Sequence, residues 1–116
     1  MYIRFMKQNA QLFKGSLTTI VLKLLDEQEK MYGYEITKKV KELTKGEFTI
    51  TEGALYPALH KLEAEGLLTV SVEQIGNRPR KYYSLTKGGK KEVKNKLAEL
   101  QAFIEQMQTV LNLRLA

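Results

Sequence analysis

Cysteine and tryptophan are absent from the 116 residues, and histidine occurs once. Without cysteine there is neither a disulfide framework nor a thiolate metal site, which fits an intracellular, cytoplasmic setting. A lone histidine, His60, with no second ligand at metal spacing excludes zinc sites and Cys/His nucleophiles, so neither a metal nor a cofactor is expected. No apolar run approaches the roughly 18 residues that a membrane span needs. Met1 to Phe13 sets Arg4, Lys7 and Gln8 among its apolar positions, so it reads as neither a span nor a secretion signal. Acidic residues are also in the minority: 13 Asp and Glu face 19 Lys and Arg, a formal net charge of +6. That surplus calls for an anionic partner, with nucleic acid ahead of a lipid surface.

What is present is globular in composition, 43% hydrophobic and 28% charged, and long enough for one core that leans on a partner. The chain is organised around residues 50–68, ITEGALYPALHKLEAEGLL. Leu55, Leu59 and Leu62 fall at i, i+4 and i+7, one narrow helical stripe that must be buried. Thr51 suits the N-cap, Glu52 the positive end of the helix dipole, and Gly66 the C-terminal stop. Opposite the stripe stand Gly53, Pro57, His60, Lys61 and Ala64. Three of these five are small or ring-closed, so another surface can approach the backbone closely. Pro57 gives up a hydrogen bond to the Gly53 carbonyl, a loss of roughly 3 kcal/mol in a helix interior and less on an exposed side near the first turn. The blander reading is a solvated, slightly kinked surface helix.

Taken in order, Tyr2, Phe5, Met6, Leu12 and Phe13 suggest an opening amphipathic helix whose partner is another chain. Ser16 is placed to cap a core-facing helix with Leu17, Ile20, Val21, Leu24 and Leu25 at i, i+3, i+4, i+7 and i+8. Tyr32-Gly33-Tyr34 turns into a second helix with Ile36, Val40 and Leu43 inward and Lys38, Lys39, Lys41 and Lys45 largely outward, ended by Gly46. A brief extended link leads to the Leu55 helix, which is the helix-turn-helix pattern. Leu68, Val70 and Val72 then alternate with Thr69, Ser71 and Glu73 as in a half-buried strand. A second strand covers residues 80–85, and Gln74 to Pro79, with Gly76-Asn77, forms the hairpin loop. Such a hairpin must lie against the helices. Thr86 caps a last helix running to Leu113, whose Val93, Leu97, Leu100, Ile104, Met107 and Leu111 are spaced 4, 3, 4, 3, 4 as in a heptad seam. Phe103 and Val110 widen that stripe beyond what a small core absorbs, which makes it a dimerisation helix.

Three helices followed by a two-stranded hairpin is the order of a winged helix: mainly α, with a small β-hairpin, an N-terminal helix and a long C-terminal helix. The expected division is 1–86 for the winged-helix domain and 87–116 for the dimerisation helix. From Gly76 to Lys96 eight basic residues stand against the single acid Glu92. Arg78, Arg80 and Lys81 among them fall at the hairpin tip and edge, where phosphate or minor-groove contacts originate. A solvated basic surface is the alternative.

At this point the chain resembles the PadR-like transcriptional regulators. The resemblance is carried by Tyr32-Gly33-Tyr34-Glu35-Ile36, Thr51 to Glu63 (TEGALYPALHKLE), Gly66-Leu67-Leu68, and Arg78-Pro79-Arg80-Lys81-Tyr82-Tyr83-Ser84-Leu85-Thr86 with Gly89. These pieces run in unbroken order, and the single tail helix resembles the short subfamily. The resemblance implies a homodimeric repressor on a partly palindromic operator of double-stranded DNA, released by a small-molecule or stress signal. One departure is Lys87-Gly88-Gly89, where such proteins commonly carry Pro and Glu. Adjacent glycines weaken a helix start by roughly 1 kcal/mol each, so a looser junction is expected there. Some members of the family bind flat aromatic ligands between tryptophans at the dimer interface, a mode not expected of a chain without tryptophan. Phe5, Phe13 and Phe103 either line a smaller apolar pocket for an unknown effector or are plain core.

The DNA-facing set is therefore Thr51, Gly53, Tyr56, Pro57, His60 and Lys61 on the third helix, Tyr34, Lys38 and Lys39 on the second, and Asn77, Arg78, Arg80 and Lys81 on the wing. The dimer set is Tyr2, Phe5, Met6 and Phe13 with Val93, Leu97, Leu100, Phe103, Ile104, Met107 and Leu111. Catalysis is not expected. Glu63 and Glu65 face apart on their helix, and Gly88-Gly89-Lys90-Lys91 lacks the phosphate-loop spacing. The rival to DNA binding is a winged-helix module for protein contacts, which has no need of basic residues on both the helix flank and the wing. A peripheral membrane protein would spread its cations along one helix face, whereas the last helix concentrates its lysines in its first third.

Overall fold

The computed structural model describes residues 16–113, and the opening apolar positions Tyr2, Phe5, Met6 and Phe13 lie outside them. The element order is α1 (Leu17–Glu27), α2 (Gly33–Leu43), α3 (Glu52–Ala64), β1 (Leu68–Ile75), β2 (Arg78–Leu85) and α4 (Lys87–Leu111). This is a winged helix. The expected 3.6-residue stripes largely converge: Leu17, Val21, Leu24 and Leu25 of α1, Ile36 and Val40 of α2, and Leu55, Leu59 and Leu62 of α3 are buried in one core, with Leu22 joining them and the expected Ile20 only partly buried against it. Ser16 stands at the N-cap of α1 but makes no capping bond, because its ψ of 6° is not the extended conformation that aims the oxygen at the first turn. Thr51 does cap α3, accepting from the Ala54 N–H at 3.2 Å.

Two parts of the second helix differ from expectation. Leu43, expected inward, is 62% exposed. There the helix ends, the chain turns through Lys45 (φ 53) and Gly46 (φ 82), and Phe48 and Ile50 return to fill the core. The expected turn Tyr32-Gly33-Tyr34 is already helical from Gly33 onward. Met31 is buried and exchanges both backbone bonds with Tyr83, 3.1 Å one way and 2.8 Å the other, adding a one-residue third strand to the sheet.

The wing hairpin is tighter than its composition suggests. β1 and β2 pair from Leu68↔Leu85 out to Ile75↔Arg78, leaving Gly76-Asn77 as a two-residue turn rather than a loop from Gln74 to Pro79. Gly76 at φ 64 supplies the left-handed first position such a turn requires. Pro79 is tolerated in β2 for a geometrical reason. Tyr83 directs its N–H and C=O away from β1, toward Met31. Pro79 lies four residues earlier, an even number, and so points the same way, and its missing N–H interrupts no β1 bond. The alternation along β1 buries Leu68 and half-buries Val70, but Val72 is 61% exposed because the hairpin has by then passed the edge of the helical layer.

The junction into α4 is firm rather than loose. Thr86 donates its N–H to the Leu67 carbonyl at 3.1 Å and its hydroxyl to the Gly66 carbonyl at 2.7 Å, while accepting from the Gly89 N–H at 3.0 Å. Gly89 is buried, and a Cβ placed on it would lie 2.1 Å from the Leu67 carbonyl oxygen. The glycine is what lets α4 approach the α3–β1 turn. Val93 enters the core, Leu97 packs against it, and the helix ends at Leu111, two residues short of expectation, with Asn112 left-handed at its C-cap. No helix among the described residues is long and apolar enough to cross a membrane.

Candidate nucleic-acid interface

Burial of Leu55, Leu59 and Leu62 fixes which way α3 faces outward. Thr51, Gly53, Pro57, His60 and Lys61 are all exposed, with α3 unbroken through Pro57. At 100° per residue Gly53, Pro57 and Ala64 form the crest of that face, with His60 on one shoulder and Lys61 on the other. Lys61 borders a cleft of about 390 Å³ that it shares with Thr18 of α1 and Lys91, Asn95 and Lys96 of α4. Tyr56 sits lower on the His60 side. It is half-buried, its ring 6.4 Å from the imidazole, and its hydroxyl end crowds Gly33, where an added Cβ would come within 2.6 Å. Tyr56 therefore locks α3 to the start of α2 and offers only part of its ring to solvent.

α2 supplies a basic flank. Tyr34 is 57% exposed and Lys38 is exposed on the next turn, while Lys39 is half-buried. Between this helix and the link to α3 runs an open groove of about 710 Å³, lined by Tyr34, Thr37, Lys38, Lys41, Lys45 and Thr49 among others. The groove residues Lys41, Lys45, Thr37 and Thr49 were absent from the expected set. The i, i+4 spacing of Lys41 and Lys45 was the available signal.

On the wing, Asn77, Arg78 and Lys81 are exposed at or beside the turn, whereas Arg80 is half-buried. The Arg80 guanidinium lies 4.1 Å from the centroid of the Tyr32 ring, which in turn meets Tyr82 edge-on at 5.5 Å. Hydrogen bonding to Tyr82, with Tyr32 and Glu35 nearby, raises the Arg80 pKa above its ordinary value. Lys30 pairs with Glu73 and stands 5.0 Å over the Tyr82 ring. The sequence pattern does not bring Lys30, Tyr32, Glu73 and Tyr82 together, because one residue of strand at Met31 leaves no periodicity to read. Among the described residues no group of three acidic or histidine side chains is placed to hold a metal ion.

The remaining expected residues divide along α4. Val93 is buried and Leu97, Leu100 and Met107 are half-buried, whereas Phe103 (56%), Ile104 (38%) and Leu111 (57%) are exposed.

A profile of the PadR-like transcriptional regulators matches residues 21–95, from the middle of α1 through the first turns of α4. The chain belongs to the PadR-like family. Its members are transcriptional regulators rather than enzymes. A Lysinibacillus sphaericus protein of uncharacterised function is 30% identical over 100 residues, 83% of this chain and 91% of that protein. A Clostridium thermocellum transcriptional regulator superposes with a TM-score of 0.79 at 31% identity, covering 85% of this chain and 93% of the other. Bacillus subtilis PadR, solved in complex with operator DNA, superposes with a TM-score of 0.63 at 33% identity. That match covers 70% of this PadR-like chain and 46% of the B. subtilis protein.

Proposed function

We propose that this PadR-like regulator is a cytoplasmic homodimeric repressor that binds a partly palindromic operator in double-stranded DNA. Release by a small-molecule or stress signal is a further expectation of the family. The observation that carries the reading is the α3 crest. Gly53, Pro57 and Ala64 leave its backbone open to close approach, and Lys38 and Lys41 on α2 and Arg78 and Lys81 on the wing are exposed cations that bracket that face in this reading. In this reading α3 lies in the major groove, Tyr34 and Lys38 meet phosphates on one side, and the wing tip meets the backbone or minor groove on the other. The operator-bound B. subtilis relative supports it.

The test is retention of promoter fragments by the purified protein at physiological salt, followed by affinity against salt for the best fragment. Each neutralised phosphate contributes a slope near −0.9 in log affinity against log salt, and a dimer doubles the count. The slope should be steep, and Arg78→Ala should make it shallower without unfolding the protein. A slope near zero would defeat the proposal and favour a protein-docking module.

A further inference from the structure

We propose that Arg80 is a positioning residue that clamps the outer half of the wing to the start of α2, rather than one of the wing's phosphate contacts. The inference rests on the DNA-binding reading for its consequence, though not for its geometry.

Beyond its root, where Leu68 and Tyr83 pack into the core, the wing is held to the segment before α2 at two points among the described residues. Nearer its root, Met31 bonds to Tyr83 through the backbone. From Tyr83 to the turn at Arg78 is five residues of strand, a lever of about 17 Å. Along that lever Val72 and Ile75 are exposed and make no core contact. A free two-stranded ribbon of this kind is marginal in water. The second attachment grips this lever. Glu73 and Arg80 face each other across the strands, with only Gln74↔Pro79 and Ile75↔Arg78 between them and the turn. Both reach back to the segment before α2: Arg80 to the face of Tyr32 at 4.1 Å, and Glu73 to Lys30 as an ion pair. Tyr82 shares a strand face with Arg80 and closes the group, edge-on to Tyr32 at 5.5 Å and under Lys30 at 5.0 Å.

The partners on the body side are themselves fixed. Tyr32 is the N-cap residue of α2, with its N–H donated to the Glu35 carboxylate at 3.1 Å. The clamp therefore ties wing angle to α2, which also carries the proposed phosphate contacts Tyr34 and Lys38. A planar guanidinium held over an aromatic face, more weakly hydrated than an ammonium, makes a contact that lysine does not reproduce equally. A phosphate contact, by contrast, requires only the positive charge. The two roles therefore make opposite predictions for Arg80→Lys.

The experiment compares Arg80→Lys, Arg80→Ala and Tyr32→Leu with the wild-type full chain, using amide hydrogen exchange without DNA and operator affinity against salt. All three variants should speed exchange at the amides around Glu73 to Lys81, while those of Val21 and Leu59 stay protected. Each should weaken operator binding by about five- to tenfold, with Arg80→Lys keeping the wild-type salt slope and the Arg80→Lys/Tyr32→Leu double variant no weaker than either single one. Wild-type exchange in Arg80→Lys and Tyr32→Leu would overturn the clamp whatever the DNA result. So would wild-type affinity in Arg80→Lys beside a shallower slope in Arg80→Ala. Faster wing exchange in variants of a protein that retains no DNA would uphold the clamp and reject the operator reading alone.

Discussion

Gly89 is a residue whose value cannot be judged from helix propensity. On the exposed surface, replacing glycine by alanine stabilises a helix by roughly 1 kcal/mol. Here the added methyl would lie 2.1 Å from the Leu67 carbonyl oxygen, a backbone atom already accepting from Thr86. Either α4 or the α3–β1 turn must shift, so Gly89→Ala should destabilise by about 1–3 kcal/mol. Gly88→Ala, whose Cβ meets nothing nearer than 3.7 Å, should be neutral or stabilising. Thermal melts of the two variants side by side check the contrast. Tyr83 offers a second measurement at this scale. It is 1% exposed, and burial raises its pKa above the usual value of 10.0. The unfolded chain therefore loses this proton first. The stabilisation that depends on neutral Tyr83 is fully present below pH 10 and is lost as pH rises through the folded-state value. Urea midpoints at pH 8 and pH 11 should fall further for the wild type than for Tyr83→Phe.

α3 shows how one element serves packing and surface chemistry with opposed requirements. Its inner stripe is fully buried, and its outer face carries a proline that removes one internal hydrogen bond. Pro57→Ala should restore that bond and gain about 1–3 kcal/mol of stability, because the side chain is exposed and loses no packing. If Pro57 faces the major groove, the same variant should bind operator more weakly, so melting temperature and affinity would move in opposite directions. A variant that is more stable with unchanged affinity would detach Pro57 from the interface. The stripes of α1 and α3, the caps at Thr51 and Thr86 and the turn at Gly76 were legible in the sequence, since each rests on a spacing of a few residues or on one residue's backbone preference. Met31 in the sheet, Tyr56 against Gly33, Gly89 against Leu67 and the Arg80 stack were not. Each joins parts of the chain distant in sequence, and the signal is a single residue with no period around it.

At the scale of the whole molecule, α4 leaves the body. Twenty-five residues make a helix of about 37 Å, and Val93, near its start, is the last of them to be buried. Beyond it Phe103, Ile104, Val110 and Leu111 hold between 38% and 72% of their surface open to solvent, on the heptad face that the spacing of apolar residues defines. Half-sites on one face of B-DNA lie about 34 Å apart, so the proposed dimer needs a rigid connection of that order between its two copies of α3. Among the described residues α4 is the element long enough to provide it. Because Phe103 is 56% exposed and lies outside the core formed by the described residues, Phe103→Glu should leave the fold of residues 16–113 intact, whereas a charge buried against a partner's apolar face costs several kcal/mol. The wild type should sediment as twice 13.3 kDa, and Phe103→Glu and Ile104→Glu should sediment as monomers with wild-type wing and α3 exchange. Operator affinity should then fall by about 100-fold or more, the avidity lost when two half-sites are no longer linked, although no DNA-facing residue has changed. A Phe103→Glu protein that stays dimeric and binds normally would show that α4 is not the connection and that the two recognition helices are spaced by some other contact.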